Sequence, residues 1–598
     1  MKHIILFVAI LCAMPMAAKK AKSPNGRLTL TTENQGLRLS YKGKSVLDIP
    51  TLGYAPMQEG KLAETVFQST LKADYWMLEG KRLHCTNRAN EYTIELSVNT
   101  TLRLRLYENG LAFRYELKGL QGQLVPEERT AYRIAEGTRR WMMQWSDGYE
   151  GFYPQATTCK NGRWGFPALL EPAEDIFVLL TEANIERRQS AASLHSEGEL
   201  FRVIPDKNEI TITGEWHSPW RLAIVGTLAD IVESTLVTDV AEPCSLKDTE
   251  WIKPGVVSWV YWAYNHGSND LNIIKKYVDM AATLRLPYVL IDAEWDEMKD
   301  GKSVEDAVRY ANEKGVKPMI WYNSSVGWIH GAPGPKFRLN KAEDREREFA
   351  WCEKIGVAGV KIDFFSGDNQ MNMDYCIDLL ECAARHHLLV NFHGAPIPRG
   401  WQRTYPNLLS TEGVYGAEWY NNVPTFTTRA ACHNATLPFT RNVIGPMDYT
   451  PCAFSDSQHP HITTHAHELA LTVLFESGLQ HLADRPESFL SQPHAVQDFL
   501  SQLPAVWDET RLVSGYPGET AVIARRSGGI WYVAGINGTE QPCDLDIKGL
   551  RSIVGKKKVV NCFLDADEDR AWQIKKNEAL PQTVHCRARG GFVLIFKE

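Results

Sequence analysis

The chain has no pair of cysteines spaced C-x-x-C. Its 12 cysteines are scattered over 598 residues, so a zinc ribbon is not indicated. The 11 that follow Cys12 are an odd number, which speaks against a full disulfide framework and for mostly buried free thiols. Beyond residues 4–12, no segment is long and apolar enough to span a bilayer. There is no basic stripe either. Lys and Arg total 65 against 72 Asp and Glu, net charge −7, so nucleic acid is not an expected partner. Internal repeats and low-complexity segments are absent.

What is present begins with an export signal. Lys2 and His3 precede the short apolar run, and Ala13-Met14-Pro15-Met16-Ala17-Ala18 follows it. Cleavage is expected near Ala18, making residues 1–18 a signal peptide and the destination periplasmic. Leu11 is bulky where lipoprotein processing before Cys12 would want a small residue. The 18 Trp and 22 Tyr would serve an aromatic core or sugar-stacking surfaces equally well.

At 598 residues the chain is too long for one core. Residues 26–250 read as β: Leu102-Arg103-Leu104-Arg105-Leu106 and Tyr92-Thr93-Ile94-Glu95-Leu96 alternate, and Glu108-Asn109-Gly110 is a turn signal. A large N-terminal β-sandwich is expected. From 251 to 505 short apolar runs alternate with helical stretches. Strands are expected at 256–262, 287–291, 317–322, 356–362 and 388–392. Helices are expected at 270–284, 304–314, 341–355 and 374–386. Five β/α units in succession predict a parallel sheet closed as a (β/α)8 barrel. Residues 506–598 return to β, as a C-terminal β-sandwich.

In such a barrel, acids at the C-terminal strand ends face the active site. Asp292 and Glu294 follow the second strand, Asp363 the fourth, and Asn391 and His393 the fifth. Glu412 and Glu418 lie on the loop after the sixth. Any one of these is most simply a solvated loop acid; together, at successive strand ends, they point to catalysis. Paired carboxylates suit glycoside hydrolysis, in which one acid protonates the leaving oxygen and the other attacks or activates water.

At this level the chain resembles glycoside hydrolase family 97, secreted, calcium-dependent α-glycosidases. The likeness covers nearly all the mature chain and is carried by four motifs. They are Glu108-Asn109-Gly110-Leu111-Ala112-Phe113-Arg114-Tyr115, Val360-Lys361-Ile362-Asp363-Phe364-Phe365, Asn391-Phe392-His393-Gly394-Ala395 with Pro398 and Gly400, and Glu412-Gly413-Val414-Tyr415-Gly416-Ala417-Glu418-Trp419. The family's inverting branch carries a Glu after the fifth-strand His; here Gly394 stands there, and Trp321-Tyr322-Asn323-Ser324-Ser325 lacks the second base carboxylate. The resemblance therefore implies retention, with Asp363 as nucleophile and Glu418 as acid/base.

It further implies calcium (Ca2+) held by Glu412, Glu418 and, from the N-terminal sandwich, Glu182. Asp292, Lys361, Trp321 and His393 are expected to meet substrate. Read by strand alternation, Lys361 turns away from Asp363, a rule that loosens at a strand end. Trp295 and Trp262 are further candidate pocket walls, with core packing favoured for Trp262. The expected activity is an exo-acting α-galactosidase, or a β-L-arabinopyranosidase of the same mechanism. Its substrate would be an oligosaccharide ending in one of those sugars, and the protein a monomer or small homo-oligomer. A non-catalytic glycan-binding protein is disfavoured by the intact Asp363 and Glu418, and an inverting α-glucosidase by Gly394.

Overall fold

A computed structural model describes residues 16–18, 20–54, 62–260 and 267–597. Trp262 and the apolar run of the export signal lie outside the described residues. The N-terminal region builds an eleven-stranded and an eight-stranded sheet. Strand Thr100–Tyr107 buries Leu102, Leu104 and Leu106 and leaves Arg103 and Arg105 half-buried on the other face. There Arg103 and Arg105 each pair with Glu91, at 2.8 Å. This is the alternation read from the sequence, with cross-strand charges on the wetter face.

The central region is a nearly closed parallel barrel. Its strands are β1 (Gly255–Val260), β2 (Tyr288–Ile291), β3 (Lys317–Asn323), β4 (Gly359–Asp363), β5 (Leu389–Phe392), β6 (Leu408–Thr411) and β7 (Leu479–Leu482), in spatial order β6-β5-β4-β3-β2-β1-β7. Apart from Lys317 every strand residue is buried, as expected where helices cover one face of a parallel sheet and side chains fill the other. Helices α1 (Leu271–Thr283), α2 (Val304–Glu313), α3 (Ala342–Ile355) and α4 (Gln370–Arg385) link the first five strands. Their limits have local causes. The Asp270 carboxylate accepts from the amides of Asn272 and Ile273 to start α1, Ser303 and Asp306 form a capping box on α2, and Gly356, at φ +90°, ends α3.

Eight strands are expected and seven parallel strands are found among the described residues. The seam between β6 and β7 is closed without a ladder. The Gly478 amide donates to the Leu409 carbonyl at 3.0 Å. The amides of Met447 and Asp448 donate to the carbonyls of Glu476, ahead of β7, and Thr411, at the upper end of β6, at 2.9 and 3.1 Å. Residues 447–448 thus bridge the seam. The buried Arg441 guanidinium fixes this region by donating to the carbonyls of Thr411, Glu412, Gly413, Gly445 and Pro446.

The C-terminal region is a six-stranded antiparallel sheet with a separate two-stranded pair. The wholly buried helix His465–Leu474 is tied to it by His467, whose Nδ1 lies 3.2 Å from the Gly590 carbonyl.

Candidate active site

Asp363 ends β4 and is buried. Its Oδ2 accepts from Trp321 Nε1 at 3.0 Å, and its Oδ1 from the Phe364 amide at 2.8 Å. These donors set the carboxylate's direction. Burial raises its pKa, Glu412 adds to the rise, and Lys361 and His393 oppose it.

Lys361 is two residues before Asp363 on the same strand and therefore shares its face. Both enter the barrel, which corrects the alternation reading. Lys361 Nζ pairs with Asp292 Oδ2 at 3.0 Å and sits 5.1 Å from the Trp259 ring centroid. The same Oδ2 accepts from Trp259 Nε1 at 2.8 Å, and Oδ1 accepts from the Ala293 amide. Both Asp292 oxygens are thus engaged, Oδ2 by the lysine and Trp259 and Oδ1 by backbone. Burial works against the Lys361 charge, but Asp292, with Glu418, Asp363 and Asp448 behind it, raises its pKa above the ordinary lysine value. A fixed cation therefore lies beside the acids.

Gly394 is where the site is tightest. A Cβ built on it would lie 2.9 Å from Asp363 Oδ1 and 3.0 Å from the Phe364 amide nitrogen, and its φ is +46°. A side chain at 394 and the Asp363 carboxylate compete for one space. The Gly394 amide donates to Glu412 Oε2 at 2.7 Å.

His393 Nδ1 lies 3.2 Å from Glu412 Oε2 and 3.8 Å from Glu418 Oε2; Nε2 lies 3.0 Å from Asp448 Oδ2. Burial disfavours its charge, but Glu412 and Asp448 hold its pKa well above the usual value. Asp448 also accepts from Asn391 Nδ2 at 2.6 Å and pairs with His481 at 2.9 Å. Burial would raise the Asp448 pKa; His481 and His393 overcome it and hold the group ionised. Asp448 and His481 were not singled out in the sequence. Asp448 lies on the irregular seam, where no strand period announces it. His481 sits within β7, past the last β/α unit that the apolar pattern resolves.

Glu418 lies on the short 3-10 turn Ala417–Asn421. Its side chain is 26% exposed, yet its Oε2 is buried without a hydrogen-bond partner. Burial, then Glu412 and Asp363, against Lys361 and His393, bring its pKa up to about 7. Asp363 and Glu418 thus sit in one cluster, both raised by burial and Glu412 and both opposed by Lys361 and His393.

Oxygen donors for a cation are here too. One atom each from His393, Glu412 and Glu418 lies within 4.8 Å of the others. The N-terminal sandwich adds Glu150, whose Oε1 accepts from Trp419 Nε1 at 2.8 Å. Burial, and then Glu412 and Glu418, push its pKa well above the carboxylate range. Glu182 is elsewhere. It is sealed between Arg399, 2.7 Å from its Oε1, and Arg221 on its Oε2, and it also takes the Ala192 amide at 2.9 Å. With both oxygens used, Glu182 is a buried ion-pair partner, and Glu150 is the sandwich carboxylate that reaches the cluster. Trp295 is packed beneath the barrel rim, donating to the Trp321 carbonyl at 2.6 Å and stacked 5.9 Å from Trp351.

Three family models match the chain. “Glycosyl-hydrolase 97 N-terminal” covers residues 21–243, “Glycoside hydrolase 97” residues 251–414, and “Glycosyl-hydrolase 97 C-terminal, oligomerisation” residues 506–597. A probable retaining alpha-galactosidase of Streptomyces bingchenggensis (strain BCW-1) is 36% identical over 538 residues, 86% of this chain and 81% of its own. A retaining alpha-galactosidase of Bacteroides thetaiotaomicron is 26% identical over 686 residues, spanning 100% of both chains. The crystal structure of a beta-arabinopyranosidase superposes with a TM-score of 0.87 at 30% identity, over 96% of this chain and 99% of its own. A variant family 97 enzyme from Pseudoalteromonas sp. strain K8 gives 0.85 at 21% identity, over 97% and 99%, a likeness of fold.

Proposed function

The chain belongs to glycoside hydrolase family 97 and is a glycosidase, and from that premise we propose that it is an exo-acting, retaining α-galactosidase. Asp363 is its nucleophile and Glu418 its acid/base. The observation that carries the reading is the 2.9 Å between Asp363 Oδ1 and a Cβ at position 394. A base carboxylate at 394 would have to occupy the space of Asp363, so the site supports attack by a side chain rather than by an activated water.

In the first step an Asp363 oxygen bonds to the anomeric carbon as the glycosidic C–O bond breaks, and Glu418 gives its proton to the leaving oxygen. In the second, Glu418 takes a proton from water. That water bonds to the anomeric carbon, and the Asp363 ester bond breaks. Trp321 and the Phe364 amide aim the nucleophile. Lys361 and His393, both held charged, oppose the rise that burial imposes on the Asp363 pKa. A Glu418 pKa near 7 suits a group that must first donate and then accept a proton.

Calcium fits the donor set. Glu412, Glu418 and Glu150 offer hard oxygens, and the buried Glu418 Oε2 has no hydrogen-bond partner. These three residues would hold the ion, which supplies positive charge to a crowded cluster of carboxylates. The apolar run at 4–12 supports export to the periplasm, and no helix among the described residues is long and apolar enough to cross a membrane. The description of the C-terminal family model supports a small homo-oligomer.

β-L-Arabinopyranosidase activity is the second reading. It is favoured by the overall likeness to a solved beta-arabinopyranosidase and by the identity of that sugar with galactose lacking C6. The test is hydrolysis of p-nitrophenyl α-galactoside, β-L-arabinopyranoside and α-glucoside, each with calcium and with EDTA, following product anomers by NMR. Calcium-dependent release of galactose with retained configuration is expected. Inversion, or cleavage of the glucoside alone, overturns the reading.

A further inference from the structure

The loop after β3 carries an aromatic ring that the core does not use. Trp328 is 52% exposed, although the loop beneath it is firmly held. Its Nε1 donates to the His330 carbonyl at 2.7 Å, and Asn323 Nδ2 donates to the Trp328 carbonyl at 3.3 Å. The ring lies 4.9 Å from that of Phe364, edge to face at 74°. Phe364 follows Asp363 directly, in the left-handed region at φ +64°.

The Phe364 carbonyl accepts from Ser324 Oγ at 2.6 Å and from the Gly327 amide at 3.0 Å. Gly327 approaches so closely that a Cβ there would stand 2.4 Å from that carbonyl oxygen. Trp328 is therefore held in register with the nucleophile through one backbone segment. A large ring held open on a fixed loop presents a preorganised apolar face, and a sugar ring offers an apolar face of the right size to stack on it. The loop lies at the C-terminal strand ends, where leaving groups depart in an exo-acting barrel enzyme.

We propose that Trp328, backed by Phe364, is the stacking platform for the sugar on the leaving-group side of the scissile bond, so that the substrate class is an oligosaccharide with a pyranose next to the terminal residue. This rests on the glycosidase mechanism above and adds the leaving-group requirement to it. Trp328 is a specificity-determining residue; the bond-breaking groups remain Asp363 and Glu418.

The test compares wild type, Trp328→Ala and Trp328→Phe on two substrates for each of α-galactose, β-L-arabinopyranose and α-glucose. One is the glycosyl fluoride, whose leaving group is too small to stack. The other is a disaccharide with a glucose leaving group. On whichever sugar the wild type cleaves, Trp328→Ala is expected to lower kcat/KM for the disaccharide about tenfold or more, mainly through KM, and to leave the fluoride within about twofold. Trp328→Phe is expected to recover most of the loss. Equal losses on fluoride and disaccharide, or no loss on the disaccharide, overturn the platform. Which sugar is cleaved judges the galactosidase reading separately, because the fluoride-to-disaccharide ratio is read within one sugar.

Discussion

Two clusters of buried acids sit at opposite ends of the same barrel. At the C-terminal strand ends are Asp363, Glu412, Glu418 and Glu150. Beneath the other end, Glu79 of the N-terminal region faces Glu476, just ahead of β7, within hydrogen-bonding reach. Both clusters raise carboxyl pKa values by burial and by crowding one acid against another. They differ in access and in their cation. Glu418 keeps a quarter of its side chain open, whereas Glu79 is fully enclosed, beside a cavity of about 30 Å3.

At the upper end Lys361 is held charged by Asp292. At the lower end burial brings Lys81 down to about 7, and its Nζ donates to the carbonyls of Val232 and Val443 at 2.9 and 2.7 Å. A crowded acid can act as a proton donor to substrate only where substrate can arrive, as at Glu418 on the proposed mechanism. In the sealed cluster the same physics makes a latch that joins the N-terminal region to the barrel.

The largest effect should come from exchanging the same kind of change between the two ends. Asp363→Ala is expected to lower hydrolysis on the order of 10^3-fold or more without lowering the melting temperature, since it relieves crowding. Glu476→Gln should leave the activity intact while changing stability. Steady-state rates and thermal melts of both variants would reverse the comparison if the outcomes were exchanged.

Glu418→Gln comes next. Loss of the proton donor should cost about 10^2- to 10^4-fold on a disaccharide, but far less on a glycosyl fluoride, whose leaving group needs no proton. A uniform loss would remove Glu418 from the acid's role. Glu150→Gln should raise the calcium concentration for half-maximal activity about tenfold or more. An unchanged calcium titration would place Glu150 outside the metal site.

The smallest effect is on stability against pH. The Glu79 carboxyl in the folded protein has a pKa above its unfolded value of 4.5, so the unfolded chain loses that proton first. Stability from this group is greatest below about pH 4.5 and declines as pH rises, by at most about 1.4 kcal/mol per unit. Glu79→Gln should flatten that decline between pH 5 and 8 in chemical denaturation. Parallel curves for the two proteins would mean that the pair holds no proton.

Much of the barrel was legible because its strands are short, wholly buried runs and its helices carry their own caps. Asp363, His393, Glu412 and Glu418 could be placed because each stands at or just after a strand end, where chain position predicts spatial position. Glu150 and Glu182 show the limit. Both are acids of the N-terminal region, and only the fold reveals that Arg221 and Arg399 consume Glu182 while Glu150 arrives beside Glu418. The β6–β7 seam was illegible for a related reason. Its hydrogen bonds go to single carbonyls and to Arg441, not to a ladder, so no periodic pattern records them.

Gly394 has a consequence for descent. Because a Cβ at 394 and the Asp363 carboxylate would occupy one volume, a chain bearing a carboxylate at 394 could not gain the proposed nucleophile by a single replacement, and on the proposed mechanism this protein could not exchange its stereochemistry by one. The intermediate would either clash or lack both groups.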